Sequence, residues 1–314
     1  MKKKIIAILS LLSLAGIPAK AAKLAVDKVS DQANFVAHVD FETLLKTEVG
    51  KFILAEIKKN PMTQRQLAGI KAAFGVDLEG LGNMTVFGRG EPEKGIILAS
   101  GGFNPQQIEG FFALNEKIET SAYKGKTIYH ENRKAFAIVN EDTIIAGSGE
   151  EFVKHGLDVF SGREPSMKKS DLLADLARAI PYPVAIAIAD LKRIAKFNPP
   201  KKAPEAAVLK KARALGVALG ETEDQVRMAA VLKASDEETA QHLENVMRGG
   251  ASLIALGADL DPKLAELAGT VKTHVAREGL NVRFYLGVSA DLMKEKIAEE
   301  MAKENSASAT AEDE

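Results

Sequence analysis

No cysteine occurs anywhere in the 314 residues. That excludes disulfides, thiolate nucleophiles, cysteine-ligated metal sites and the acylation of a cysteine behind an export signal. In an oxidising compartment such a chain depends on burial for its stability. Tryptophan is also absent, and aromatic residues make up 5% of the chain. Sugar-binding surfaces usually rest on exposed Trp and Tyr, so this composition disfavours one. Nor is there a surplus of positive charge, with 42 basic residues against 43 acidic ones. Nucleic-acid binders and polybasic membrane-surface proteins need a basic patch for phosphate, which argues against both. The longest apolar stretch without a charge, residues 5–17, falls short of the roughly 17–25 residues a spanning helix requires. No transmembrane segment is therefore expected in the mature chain.

What is present begins with an address. Met1-Lys2-Lys3-Lys4 is a short basic segment, residues 5–17 are apolar, and Pro18-Ala19-Lys20-Ala21 is a small-x-small cleavage pattern. These parts in this order define a secretory signal peptide over residues 1–21, with Ala22 as the first mature residue. Without Lys2, Lys3, Lys4 and Lys20, 38 of the 42 basic residues remain against 43 acidic ones, a formal charge of −5. The reading is an exported protein, periplasmic or secreted.

Patterning then predicts two similar stretches. In the first, residues 35–39 form a strand ending at Asp40. A helix carries Leu45, Val49, Phe52, Ile53 and Ile57 on one face and stops at Pro61. Thr63 with Gln66 reads as a capping box and Gly75 as the residue after the helix. Strands at 84–88 and 95–100 lead to an Asn104-Pro105-x-Gln107 cap and a helix facing Ile108, Phe111 and Phe112 inward. Strands at 126–130, 134–140 and 143–147 follow, then a Ser148/Glu151 box and a helix to Phe160. The second stretch runs in similar order: a strand at 184–189 ending at Asp190, a Pro-rich connection at 198–204, a helix from Glu205, and strands at 216–220 and 226–233. A Ser235/Glu238 box opens a helix lined by Leu243, Val246 and Met247. Strands at 270–277 and 281–288 follow, and Ser289 caps a helix through Met293, Ile297 and Met301.

This order predicts an internal duplication: a first α+β unit over residues 22–165, a second over 166–303, and a disordered acidic tail over 304–314. In Val282-Arg283-Phe284-Tyr285-Leu286 and Val271-Lys272-Thr273-His274-Val275 apolar residues alternate with others. The expected class is α+β, with two tandem units, each a largely antiparallel sheet carrying helices on one face and wet on the other.

Catalytic patterns are incomplete. His38, His130, His155, His242 and His274 never fall at the spacing that lets two imidazoles share a metal. His130 and His274 are expected on comparable strands, pointing outward away from Ile128 and Val275. Gly125-Lys126-Thr127 lacks the earlier glycine of a phosphate loop. Gly147-Ser148-Gly149 precedes a helix, where amide groups can meet an anion, but reads as a helix cap. Ser121-Ala122-Tyr123-Lys124 and Ser166-Met167-Lys168-Lys169 have the S-x-x-K spacing of penicillin-recognising enzymes without its companion motifs. Asp40 and Asp190 are the acids the repeat singles out, with helix capping as the default role and a symmetric carboxylate pair as the functional one. No catalytic, cofactor or metal residue is assigned.

Val36-Ala37-His38-Val39-Asp40 before a helix, Gly75-Val76-Asp77-Leu78-Glu79 before a strand, and Tyr123-Lys124-Gly125-Lys126 opening a hairpin together resemble phrases in uncharacterised exported proteins of planctomycetes and verrucomicrobia. The resemblance implies export and this layout, and no activity. Three readings stand at this point. The first is a non-enzymatic exported protein that binds a protein partner or contributes to a cell-envelope assembly. The second is a carrier of a hydrophobic small molecule or lipid, with segments such as 108–112 enclosing an apolar cavity. The third is a hydrolase whose site is assembled from scattered residues. The address itself is testable: intact-mass measurement of the exported protein should return a chain beginning at Ala22, and a mass retaining residues 1–21 would refute the cleavage site.

Overall fold

Strand formation follows from runs of small and branched apolar residues, and one pairing between two such runs sets the architecture. The computed structural model describes residues 24–90, 94–168, 170–194, 211–260 and 271–310. The strands are β1 (Phe35–Asp40), β2 (Leu81–Gly88), β3 (Gly95–Gly101), β4 (Glu119–Tyr123), β5 (Lys126–Glu131), β6 (Lys134–Asn140) and β7 (Thr143–Gly147) in the first half. In the second they are β8 (Ala185–Asp190), β9 (Ala212–Thr222), β10 (Gln225–Ala234), β11 (Lys272–Glu278) and β12 (Asn281–Ser289). All twelve join one sheet in the order β11-β12-β10-β9-β8-β1-β2-β3-β7-β6-β5-β4. Every pairing is antiparallel, and β11 and β4 are its edges.

Two separate sheets were expected, and a single sheet is found. β1 and β8 pair directly, Ala37 opposite Ala187 and His38 opposite Ile186. Outward from this seam the order is β1, β2, β3, β7, β6 on one side and β8, β9, β10, β12, β11 on the other. The first half adds the β4–β5 hairpin beyond β6. β4 is too polar (Glu-Thr-Ser-Ala-Tyr) for its apolar pattern to announce a strand.

Helices cover both faces of the sheet rather than one. Eight α-helices lie among the described residues: α1 (Phe41–Leu45), α2 (Glu48–Lys59), α3 (Pro61–Phe74), α4 (Pro105–Ala113), α5 (Glu150–Phe160), α6 (Asp171–Ala179), α7 (Glu237–Leu260) and α8 (Ala290–Thr310). On the back face, Val153 and Leu157 of α5 bury Phe87, Ile96, Leu98 and Ile145. Leu176 of α6 covers Ile186, Ala218, Ala229 and Val231 on the same face. On the front face, α1, α2 and α8 cover the Asp40 end of the central strands through Phe41, Leu44, Val49, Ile53, Ala290 and Ile297, while Ala187 at mid-seam stays exposed. Ala240 and Leu243 of α7 cover Leu232, Val275 and Val282. The residues that alternate with the apolar ones in β12 meet helix α6 rather than solvent. Arg283 donates to Asp175 Oδ1 at 2.9 Å, Asn281 donates to Asp175 Oδ2 at 2.6 Å, and Asp175 is 2% exposed. Charge alternation in that strand marks a buried ion pair, so its wet face was a misreading.

Local corrections follow from capping chemistry. The cap of α3 is Asn60, whose Oδ1 accepts from the Met62 and Thr63 amides, with Pro61 at the first helical position; Thr63 lies inside the helix. Asp236, one residue after Ser235, accepts from Thr239 N–H at 2.7 Å. α5 starts at Gly149 without a side-chain cap. Val246 and Phe111, expected inward, are exposed. α8 continues to Thr310, through part of the segment expected to be a disordered tail. The connection at 198–204 and the helix from Glu205 fall outside the described residues. Asp190 is followed by a turn, and α8 covers the front face whereas α5, at the same place in the order, covers the back.

Leu176 is fully buried against three strands, β8, β9 and β10, so it reports on this architecture. Leu176→Ala should lower the unfolding free energy by about 2–5 kcal/mol in urea titrations, the range for a deleted core leucine. A loss below about 1 kcal/mol would mean that α6 does not pack as described.

Candidate functional site

On the front face of the first half the helices roof the sheet without filling the space beneath them. Strand register places Val86, Ile97, Ala146, Phe136 and Tyr129 side by side in a single row across β2, β3, β7, β6 and β5. Above this row lie Phe74 at the end of α3, Val76, Ile118, and Ile108 and Phe112 of α4. Between row and roof is a cleft of about 850 Å³.

The roof is built from its caps. Gly75 ends α3 in the left-handed conformation (φ 63°), and a Cβ there would come within 2.5 Å of Asn104 Cβ. Asn104 Oδ1 accepts from Gln107 N–H at 3.1 Å with Pro105 at the first position of α4, as its sequence predicts. The Gln107 side-chain amide donates to the carbonyls of Lys71 (3.3 Å) and Ala72, tying the two helix ends together. No residue of α3 is fully buried, so the roof rests on aromatic contacts. Phe112 sits between Phe74 above (ring centroids 6.2 Å) and Phe136 and Tyr129 below (4.7 and 5.7 Å). Phe136 and Tyr129 stack at 5.1 Å. Such pairs contribute beyond the area they bury. Burial, with a smaller contribution from the Glu109 charge, pushes the Tyr129 phenol above its ordinary value.

The cleft has a polar end. Gly95, Gly147, Ser148, His130, Glu131, Arg133 and Lys134 line it where β3 begins, β7 ends and the β5–β6 hairpin turns. Arg133, Lys134 and Glu131 are exposed there. His130 Nδ1 lies 3.9 Å from Glu119 Oε2. His130 shares a face with Ile128, two residues away, so it turns toward the back face and not away from Ile128 as expected. By strand order β11, which carries His274, matches β6 rather than β5. His274 does point opposite to Val275, against Tyr285 at 5.9 Å.

The other residues singled out in the sequence are not gathered into a site. Asp40 caps α1, accepting from Thr43 N–H (2.8 Å) and Oγ1 (2.7 Å). Asp190 accepts from the amides of Lys192 and Arg193 at 3.1 and 3.3 Å. β1 and β8 run antiparallel, so the two acids lie at opposite ends of the seam and form no pair. Ser121 donates to Glu150 at 2.6 Å while Lys124 pairs with Asp158 at 2.8 Å, so no serine–lysine contact exists between them. Ser166 bridges Ser30, and Lys169 is outside the described residues. Gly125 is a hairpin turn (φ 78°). No group of three or more His, Cys, Asp or Glu able to hold a metal occurs among the described residues.

Two titratable groups are buried elsewhere. His38 lies at the seam, 1% exposed, with Nδ1 2.8 Å from Thr85 Oγ1; burial lowers its pKa to about 4, against a weaker opposite pull from Asp40. Glu221, 2% exposed, accepts from Val49 N–H at 3.4 Å at the start of α2, and burial raises its pKa to about 7. Glu221 was not recognised in the sequence. Its signal was period-2 placement after Leu215, Val217 and Leu219, which puts it on the core face.

No protein-family profile and no curated protein matches the chain. Among solved structures it is similar to TP0453 in several crystal forms. Form IV superposes with a TM-score of 0.50 at 10% identity, over 87% of this chain and 95% of that one. Form III gives 0.49 at 9% identity, over 87% and 97%. At this identity the likeness is one of fold, a mixed α+β architecture spanning most of the chain.

The two buried groups oppose each other with pH. Glu221 keeps its proton to about pH 7 in the native state against an ordinary value of 4.5, so its contribution is present below pH 4.5 and lost as the pH rises through 7. His38 contributes above its ordinary 6.5, and that contribution is lost as the pH falls through about 4. Glu221→Gln should therefore raise stability at pH 8 by on the order of 2 kcal/mol relative to wild type, with little change at pH 4, in urea unfolding at both pH values. Equal effects at the two would show that Glu221 is not buried as a carboxylic acid.

Proposed function

We propose that the mature protein is a non-catalytic carrier of a hydrophobic small molecule or lipid, working outside the cytoplasm. The observation that carries this reading is the roofed apolar row in the first half. A continuous line of five strand residues faces Phe74, Ile108 and Phe112 across an 850 Å³ cleft. Pockets of 300–1,000 Å³ with mainly hydrophobic linings and a few polar groups at one end are typical of small-molecule sites. The signal sequence supports the compartment. No helix among the described residues is long and apolar enough to cross a membrane.

A neutral apolar fluorophore, N-phenyl-1-naphthylamine, should bind saturably. Ala146→Trp, which places an indole in the middle of the row, should weaken that binding about tenfold or more while leaving the thermal midpoint within a few degrees. Fluorescence indifferent to this substitution would remove the cleft as the binding site.

A protein partner in the envelope is the second reading, favoured by the outer surface of the same roof. Met62, Ile70, Phe111 and Leu114 are exposed there, Leu114 to 87%. Native mass spectrometry of protein taken from its own envelope separates the two. A small mass lost on denaturation supports the carrier, and protein-sized additions support assembly.

A further inference from the structure

The cleft is chemically polarised along the strands, and this specifies its occupant further than the carrier reading on which the inference rests. At one end, Ile144 at the start of β7, Ile118 and Phe74 present only carbon. Three residues along β7, roughly 10 Å at the ordinary strand rise, the lining becomes Gly147 and Ser148, with Arg133 and Lys134 beside them at the β5–β6 turn. A wholly apolar ligand would leave this second end unused.

The charges at that end are also uncommitted. Neither the Arg133 nor the Lys134 side chain forms a hydrogen bond or ion pair with another described residue, although ion pairs are plentiful over the rest of the surface. Ser148 lines the cleft, and its hydroxyl is buried beneath that surface without a hydrogen-bond partner. Glu131 lies at the same rim, and its charge opposes an anion; the Glu119 carboxylate lies toward His130 on the neighbouring strand. Glu150 and Glu151 line the adjoining hollow that shares Arg133, Lys134 and Ser148, and Glu150 is already engaged by Ser121 and Lys154, so what favours an oxyanion here is the pair of unpaired cations rather than a net positive charge. A guanidinium meets carboxylate or phosphate oxygens with paired N–H donors.

We infer that the ligand is an acyl-chain amphiphile with an anionic head, its chain under Phe112 along the Ala146–Phe136 row and its carboxylate or phosphate oxygens at Arg133, Lys134 and the Ser148 hydroxyl. The head selects the end at which the ligand lies, and the apolar row supplies chain affinity without distinguishing one chain from another.

Three ligands with the same fourteen-carbon chain test this by displacing N-phenyl-1-naphthylamine: myristate, tetradecyl phosphate and the uncharged 1-tetradecanol. Wild type should be displaced by myristate or tetradecyl phosphate at about a tenfold lower concentration than by 1-tetradecanol, the stronger of the two identifying the head. The R133A/K134A double variant, altered at the β5–β6 turn and the first residue of β6, should lose that difference, so that all three displace the naphthylamine at similar concentrations. Equal displacement by all three in wild type overturns the head assignment and leaves the carrier standing. A preference that persists in the double variant overturns it too. If neither the naphthylamine nor any of the three binds, the carrier reading itself falls.

Discussion

The backbone pairing of β1 with β8 is the constraint from which the rest of the structure follows. It fuses two stretches of similar order into one sheet, and it places a short, strongly apolar strand pair at the middle, with Val36, His38 and Ile186 buried on the back face and Ala187 exposed on the front. The back is covered by α5 and α6, whose contacts converge from the two halves. The front is covered at the Asp40 end by α1, α2 and α8, so helices from the beginning and the end of the chain share one cluster. His38 is trapped in this arrangement, and burial there favours its neutral form.

Much of this layout was legible in residue patterns. The strands at 84–88, 95–100, 134–140, 143–147 and 281–288, the Asn104-Pro105 cap, the Gly75 terminus and the Ser289 cap all fall where local chemistry places them. Local chemistry acts over three or four residues, which is why it reads well. What escaped were tertiary facts. Whether Arg283 faces water or Asp175 depends on a helix more than a hundred residues away. Whether two tandem units own separate sheets depends on a seam that no single segment encodes. The position of β4 depends on β5 offering it a partner, since its own residues are mostly polar.

The candidate site was legible in part. The helix carrying Ile108 and Phe112 was expected to enclose apolar space, and it does so over a row that alternation along each strand dictates. The residues that drew attention as chemistry, Asp40, Asp190, Ser121 and Lys124, proved to be caps and ion pairs, which is the usual fate of polar side chains at element ends. The cations at the cleft's end drew none, because an Asn-Arg-Lys turn between two strands looks like ordinary hairpin punctuation. Only strand register shows that this turn sits over the open end of a hydrophobic groove.

The sheet's two edges have a consequence for a chain of this kind. A twelve-stranded sheet ends in two rows of unpaired amides and carbonyls, each a template for adding strands from a neighbouring molecule. Here one boundary, β4, is only five residues long and begins with Glu119. The other, β11, carries Lys272, Arg277 and Glu278 within seven residues. Shortness on one side and charge on the other discourage polymerisation by strand addition. A protein without a single cysteine cannot lock its edges with disulfides, so such guards are what keep copies of the chain apart.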